Sequence, residues 1–258
     1  MRFSVLASGS GGNACYVETA QSRIMIDAGL SRRELLRRLE LIEVDPRTLD
    51  ALIITHEHTD HVKGAGPLAR LLDIPVYINS PTLKKIVKTL GNISKLVALH
   101  TGESITIKDL KVETFTKCHD AEDPMGLIIC SNGVRLGLVT DLGRSTRLVE
   151  ERLKNCHSLI IEFNYDPGML ENGPYPLHLK KRISGPEGHL SNQQAADLLG
   201  AVAHEDLQRV VLAHLSKINN KDERALQEAQ DALAREGLND TEILVSRQDC
   251  PTSIVELE

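Results

Sequence analysis

The chain has no tryptophan, and aromatic residues make up only 3% of its 258 positions. Base stacking on aromatic platforms is thereby excluded as a main source of binding energy, because each stacked base needs a ring of its own. Its five cysteines, Cys15, Cys118, Cys130, Cys156 and Cys250, are scattered and show no C-x-x-C spacing. An odd, dispersed set excludes a disulfide framework and a thiolate zinc knuckle, and fits reduced thiols in the cytoplasm. No apolar run approaches the roughly 20 residues that span a bilayer, so no membrane partner is expected. The opening residues, Met1-Arg2-Phe3-Ser4-Val5-Leu6-Ala7, lack a basic stretch followed by a long apolar one, and no secretory signal is expected there. A formal charge of −6 gives no global attraction to nucleic acid. Bound divalent cations would offset part of that charge, and local basic clusters act independently of the sum.

What is present is an ordinary globular composition, 41% hydrophobic and 26% charged. A chain of this length can bury a sizeable core without staples, and residues 1–258 read as one α/β layered domain. Short apolar runs alternate with helical periodicity from end to end. Phe3–Ala7, Cys15–Glu18, Arg23–Asp27 and Ala51–Thr55 read as strands. Ser31 reads as the N-cap of an amphipathic helix through Glu40. A helix is expected over Val62–Leu72, and another from Pro81 with Ser80 as its cap. The middle of the chain is strand-rich, with Ser131-Asn132-Gly133 as a hairpin turn. Helices are then expected near Thr146–Lys154, after Ser191 and over Asp222–Arg235, with strands at Ser158–Glu162 and Arg209–Ala213. Asn164–Pro186 reads as loop. Strand-rich halves with helices between them predict two sheets packed face to face and covered outside by helices, a four-layer αββα sandwich.

The chemistry is concentrated in His56-Glu57-His58-Thr59-Asp60-His61, directly after the strand Ala51–Thr55. A strand-to-helix turn redirects successive side chains, so three imidazoles and a carboxylate can converge on one cavity. These donors suit zinc, manganese or iron. One histidine in such a place would be a solvated loop residue; three with an aspartate in six positions point to a metal site. Other residues must complete it, and three end apolar runs: His119 after Lys111–Phe115, Asp141 after Leu136–Thr140, and His214 after Val210–Ala213. Together these make seven ligands, enough for two metals sharing a carboxylate.

At this point the chain resembles the metallo-β-lactamase superfamily, whose H-x-H-x-D-H signature and later His, Asp and His it reproduces in order. The resemblance implies that fold, with His56, His58 and His119 on one divalent metal (Zn or Mn) and Asp60, His61 and His214 on a second. It makes Asp141 the bridge, a hydroxide between the metals the nucleophile, and Asp60 a catalytic residue that orients it. Asp27, in Ile26-Asp27-Ala28-Gly29, resembles the buried aspartate that orients a ligand histidine, although a turn would also explain it.

The superfamily hosts many hydrolases, so the substrate has to be argued from the site. Gly188-His189-Leu190-Ser191 before His214 resembles the tRNase Z pattern. It implies that His189 meets the scissile phosphate or protonates the leaving oxygen, and that Ser191 caps a helix whose positive end faces the anion. Ser8-Gly9-Ser10-Gly11-Gly12-Asn13 is neither a P-loop nor a dinucleotide fingerprint. It resembles the opening of the YycJ/WalJ-like branch, as do Lys117-Cys118-His119-Asp120-Ala121, Glu162-Phe163-Asn164 and Lys181-Arg182-Ile183-Ser184. That branch implies a metal-dependent 5′-to-3′ exonuclease on DNA. On this reading Ser10, Asn13, Lys180, Lys181 and Arg182 contact the substrate, while a tight turn is the competing explanation of the glycines. Arg32, Arg33, Arg37 and Arg38 form a second basic cluster on the first helix, with a solvated face as the plainer reading. The length leaves no room for a large inserted domain between Asp141 and His214, and no long tRNA-gripping arm is evident. The competing expectations are a small-molecule metallohydrolase acting on thioesters, lactones or cyclic phosphodiesters, and a metal-binding protein without hydrolytic activity. A homodimer is the default expectation for assembly.

Overall fold

Runs such as Leu159-Ile160-Ile161 and Val210-Val211-Leu212 are apolar at every position because the strands they form are covered on both faces. The computed structural model describes residues 1–258. The first half of the chain forms β1 (Arg2–Ala7), β2 (Ala14–Glu18), β3 (Arg23–Ile26), α1 (Arg32–Leu41), β4 (Ala51–Ile53), α2 (Thr59–Val62), α3 (Ala65–Leu72), β5 (Val76–Ile78), α4 (Ser80–Leu90) and β6 (Leu96–Ala98). The second half adds β7 (Ser104–Ile107), β8 (Leu110–Thr116), β9 (Met125–Ser131), β10 (Val134–Val139), α5 (Arg147–Leu153), β11 (Ser158–Glu162), α6 (Pro167–Asn172), α7 (Leu177–Ile183), α8 (Asn192–Val202), β12 (Arg209–Ala213), α9 (Asp222–Arg235), β13 (Glu242–Val245) and β14 (Val255–Glu256).

The strands make two seven-stranded sheets, in the orders β14-β1-β2-β3-β4-β5-β6 and β13-β12-β11-β10-β9-β8-β7. Three apolar clusters separate four layers. The middle one draws Phe3, Val5, Ile26 and Ile53 from the first sheet and Leu136, Leu138, Ile160 and Val211 from the second. Alternate residues face outward, as the two-residue strand period requires. Leu6, Met25 and Leu52 meet Leu35 and Leu39 of α1, Leu68 of α3 and Ile86 of α4. Val139, Ile161 and Leu212 meet Val149 of α5, Leu199 of α8 and Leu233 of α9. The expected αββα sandwich is the observed architecture.

Three local expectations are corrected. The helix expected over Val62–Leu72 is split into α2 and α3 at Gly64, whose N–H donates to Ala28 O (2.7 Å). A Cβ there would lie 2.2 Å from Leu30 O, so the chain needs glycine where it passes the Ala28–Leu30 segment. The cap of α4 is Asn79, not Ser80: its side chain accepts from Thr82 N at 2.8 Å. Asn164–Pro186 contains the helices α6 and α7, each introduced by proline and too short for an apolar stripe to show. The caps Ser31 and Ser191 stand as expected, Ser191 in a reciprocal capping box with Gln194, and Thr146 caps α5.

Strand direction decides where the chemistry collects. β3 and β4 run parallel; so do β10, β11 and β12; and β8 and β10 are each antiparallel to β9. Residues that follow the C-terminal ends of these strands are therefore delivered to one rim of each sheet, where layered α/β folds place their ligands.

Candidate metal centre

Each strand named above except β9 leads into a residue of the centre. Asp27 follows β3, His56–His61 follow β4, His119 follows β8, Asp141 follows β10, Glu162 ends β11 and His214 follows β12. Asp27, Asp141 and His214 have φ of 57°, 54° and 56°. Left-handed backbone is uncommon outside glycine and is best tolerated by Asp, Asn and His. At these three positions it turns the chain sharply at the strand tip.

The ligand atoms fall into overlapping clusters within 4.8 Å: His56, His58 and His119; Asp60, His61, Asp141 and His214; and Asp141, Glu162, His189 and His214. Asp141 reaches toward both main clusters, with Oδ2 at 3.2 Å from His61 Nε2 and Oδ1 at 3.4 Å from His214 Nε2 and 4.0 Å from His119 Nε2. All seven residues predicted as ligands are thus brought together.

The imidazoles are held from behind. His61 Nδ1 lies 2.7 Å from Asp27 Oδ2. Thr55 donates to the same carboxylate through N and Oγ1, and its hydroxyl lies 3.0 Å from His56 Nδ1, so Asp27 fixes two histidines. His119 Nδ1 meets Gly188 O at 3.1 Å, and His214 Nδ1 meets Glu162 Oε1 at 3.0 Å. Such contacts select the tautomer whose Nε2 lone pair points into the cavity.

Buried His56 Nε2, His214 Nε2 and Asp141 Oδ2 have no hydrogen-bond partner. Orphaned buried polar atoms are rare, and three aimed at one cavity fit bound cations. Electrostatics agrees with this. Burial, reinforced by the neighbouring His61 and Lys117, pushes His56 well below the usual imidazole range. Burial also takes His119 down to about 4, against the pull of Asp141. These imidazoles are neutral and ready to bind. Burial opposes charge on His61 too, but Asp141 and Asp27 outweigh it and raise its pKa to about 10. His214 is likewise raised, against its burial, by Asp141 and its contacts with Asp60 and Glu162. Protons there neutralise a carboxylate-rich pocket, as a cation would.

The other predicted residues are placed as follows. His189, half-buried, sits with its ring 5.1 Å from that of His214 and 5.4 Å from that of His119, and its Nδ1 lies 2.8 Å from Glu162 Oε1. Asn13 is buried; its amide donates to Asp60 Oδ2 (3.1 Å) and lies 3.0 Å from His61 Nε2, while Oδ1 accepts from Gly9 N. It therefore touches the metal ligands themselves. Ser10 is exposed at the loop tip. Ser191 spends its hydroxyl on capping α8. Lys180 donates to Glu171 O, Lys181 is exposed, and Arg182 pairs with Asp120 at 2.6 Å. In the other basic cluster Arg38 is buried and ties α1 to Leu6 O and Gln248 O, while Arg32 and Arg33 are exposed.

Sequence reasoning missed three residues. Glu162 is fully buried and accepts from Leu142 N (2.8 Å) and Leu190 N (3.2 Å) besides facing both imidazoles. Burial would raise its pKa, but His189 and His214 hold it at about 2. A carboxylate closing an apolar strand was the signal that found Asp141, and it applies equally here. Thr55 and buried Lys117, which donates to Thr140 O just before Asp141, carried no such signal.

Comparison with known proteins decides the family. The family described as "Beta-lactamase superfamily domain" matches residues 22–215. The chain belongs to the beta-lactamase superfamily. It is 36% identical over 239 residues to "Exodeoxyribonuclease YycJ" of Bacillus anthracis, covering 92% of this chain and 90% of that one. It is 34% identical over 263 residues to "Exodeoxyribonuclease WalJ" of Streptococcus pneumoniae serotype 2, covering 99% and 98%. These matches put it in the YycJ/WalJ-like branch. Among solved structures, the metallo-beta-lactamase fold protein YhfI from Bacillus subtilis superposes with a TM-score of 0.76 at 15% identity, covering 99% of this chain and all of the other. That likeness shows the metallo-β-lactamase fold. No helix is long and apolar enough to cross a membrane.

Proposed function

We propose that the 258 residues form one hydrolase domain, a binuclear metal-dependent phosphodiesterase that removes nucleotides from DNA in the 5′-to-3′ direction. The observation that carries this is the pair of ligand clusters joined through Asp141, with His189 held beside them by Glu162. The relatives named as exodeoxyribonucleases, of nearly equal length, support the substrate class.

His56, His58 and His119 would hold one divalent cation, zinc or manganese, and Asp60, His61 and His214 a second, with Asp141 shared. When bound, the pair supplies Lewis acidity and activated water for attack on phosphorus. The protein's own residues arrange the rest. Asn13 fixes the Asp60 carboxylate, and Asp27 fixes His61 directly and His56 through Thr55. His189 turns Nδ1 to Glu162, which leaves Nε2 free to donate to a phosphate oxygen or to the departing 3′ oxygen. Glu162 holds the ring in that orientation. Lys181 and Arg182, on the exposed side of α7, would hold flanking phosphates without reading sequence.

The test is digestion of 5′-phosphorylated duplex DNA by manganese-loaded protein, with the Asp60→Ala variant alongside. Shortening from the 5′ end by the parent alone is expected. Intact DNA in the presence of fully loaded parent protein would refute the nuclease reading and favour a thioester or lactone substrate.

A further inference from the structure

Five imidazoles surround the two clusters, and four of them have the ring nitrogen that faces away from the cavity engaged. His56 has Thr55, His61 has Asp27, His119 has Gly188 O and His214 has Glu162. His58 is the exception. Its Nδ1 turns inward, 3.1 Å from His119 Nε2, so Nε2 faces outward. There it meets Asp120 Oδ1 at 3.7 Å, just beyond hydrogen-bonding range, and the same oxygen lies 3.5 Å from His119 Nε2. That oxygen is buried and has no partner of its own. A buried, unpartnered carboxylate oxygen thus stands against two imidazoles of the first cluster without a hydrogen bond to either. The other Asp120 oxygen accepts from Arg182 Nε at 2.6 Å, and the terminal nitrogens of Arg182 bond to nothing in the chain. The Asp120 backbone is also tied down, since its N–H donates to Glu187 O at 2.9 Å in the loop that carries His189.

We propose that Asp120 is a positioning residue for the first metal cluster, and that Arg182 couples it to a phosphate of the substrate. This rests on the metal-dependent phosphodiesterase reading above. When His58 binds a cation through Nδ1, Nε2 carries the proton, and the short closing movement to Asp120 completes the set of five oriented imidazoles. Arg182 presents its Nε to Asp120 and its two terminal nitrogens outward, a geometry suited to a phosphodiester oxygen pair. A phosphate seated there immobilises Arg182, hence Asp120, hence His58. Metal affinity and substrate affinity are then coupled, each raising the other by the same factor.

The His214→Ala variant isolates the first cluster and cannot turn substrate over, so zinc affinity is measured in that background by competition with a chromogenic chelator. Adding Asp120→Ala is expected to weaken zinc binding 10- to 100-fold, the range for loss of an outer-shell partner of a metal ligand. Adding Arg182→Ala instead should leave zinc affinity within about threefold. A 5′-phosphorylated oligonucleotide should tighten zinc binding in the His214→Ala parent and not when Arg182 is also replaced. Unchanged zinc affinity in the Asp120→Ala protein overturns the proposal. So does an equal loss of both ions in the single Asp120→Ala variant accompanied by a lower melting temperature, which would mark a collapsed loop. If the His214→Ala parent binds no zinc while the wild type binds no more, the metal reading itself fails and the proposal falls with it.

Discussion

Glu162→Gln is nearly isosteric, yet the structure gives it no harmless conformation. One carboxylate oxygen faces His189 Nδ1 and His214 Nδ1 at 2.8 and 3.0 Å; the other accepts from Leu142 N and Leu190 N. Glutamine offers one acceptor and one donor where four donors converge. If its NH₂ faces the backbone amides, two buried N–H groups lose their acceptor, at about 1–3 kcal/mol each. The protein then melts lower but keeps its imidazoles oriented. If its NH₂ faces the imidazoles, both must accept through Nδ1 and carry their protons on Nε2. His214 can then no longer ligate through Nε2, and His189 loses the acceptor that holds its Nδ1–H. In a serine-protease triad, the analogous change of an orienting carboxylate to an amide costs about 10⁴ in kcat through the wrong tautomer. A drop of 10³ to 10⁴ in hydrolysis, with weaker binding of one metal, is the expectation for the second geometry. The experiment combines steady-state hydrolysis, metal content and thermal melting on one preparation. Activity within tenfold of wild type, with both ions retained and an unchanged melting temperature, would refute the assignment of Glu162.

Asp141→Ala should cost both ions at once, because its carboxylate reaches both clusters, and metal analysis showing full stoichiometry would remove its bridging role. Gly29→Ala places a Cβ 1.6 Å from Asp60 O, so the segment carrying the ligands must shift; loss of metal retention on dialysis is expected, and full retention would contradict the packing. Glu34 is held at about 2 by contact with Arg37, against the opposing effect of burial, and by contact with buried Arg38. Its folded pKa lies below the unfolded one, so its contribution is full above about pH 4.5 and is lost as pH falls through about 2. With its partial exposure discounted, about 1 kcal/mol is expected for Glu34→Gln near neutral pH, which is about 2 °C in melting temperature. The gap between wild type and variant should close on acidification, and a gap that persists at pH 2 would show that the ion pair is not its source.

Most of the strands and the helix starts at Ser31 and Ser191 were legible because they depend on local chemistry. An apolar run closed by a polar residue marks a strand reaching a rim, and a serine or threonine before an apolar stripe marks a helix start. The hexapeptide His56–His61 was legible for a related reason, since nothing but a common cavity explains so many ligands in one turn. What stayed hidden depends on distance. Gly64 splits a helix because Leu30 lies against it, and no periodicity in Val62–Leu72 records that neighbour. α6 and α7 are six and seven residues long, too short for a repeating apolar face to emerge from proline-rich sequence.

The same distinction separates the ligands from the residues that aim them. A metal ligand has to be His, Asp, Glu or Cys, so its identity alone advertises it. An orienting residue needs only an acceptor at the right place: Thr55, a backbone oxygen of Gly188 and the carboxylates of Asp27 and Glu162 all serve here. Sequence separation between the partners runs from 1 residue for Thr55 and His56 to 69 for Gly188 and His119. Such residues become visible only when every ligand is asked what holds its far side. Asked that way, His58 alone among the five imidazoles has no hydrogen bond on its far side, and an unsatisfied oxygen of Asp120 lies 3.7 Å from it. Because Asp120 is also the acceptor of Arg182, the gap in the inner set of contacts coincides with the point where the basic helix α7 meets the centre. An orienting residue with no outward connection would only stabilise the metal; one tied to an exposed arginine can also report whether a phosphate has arrived.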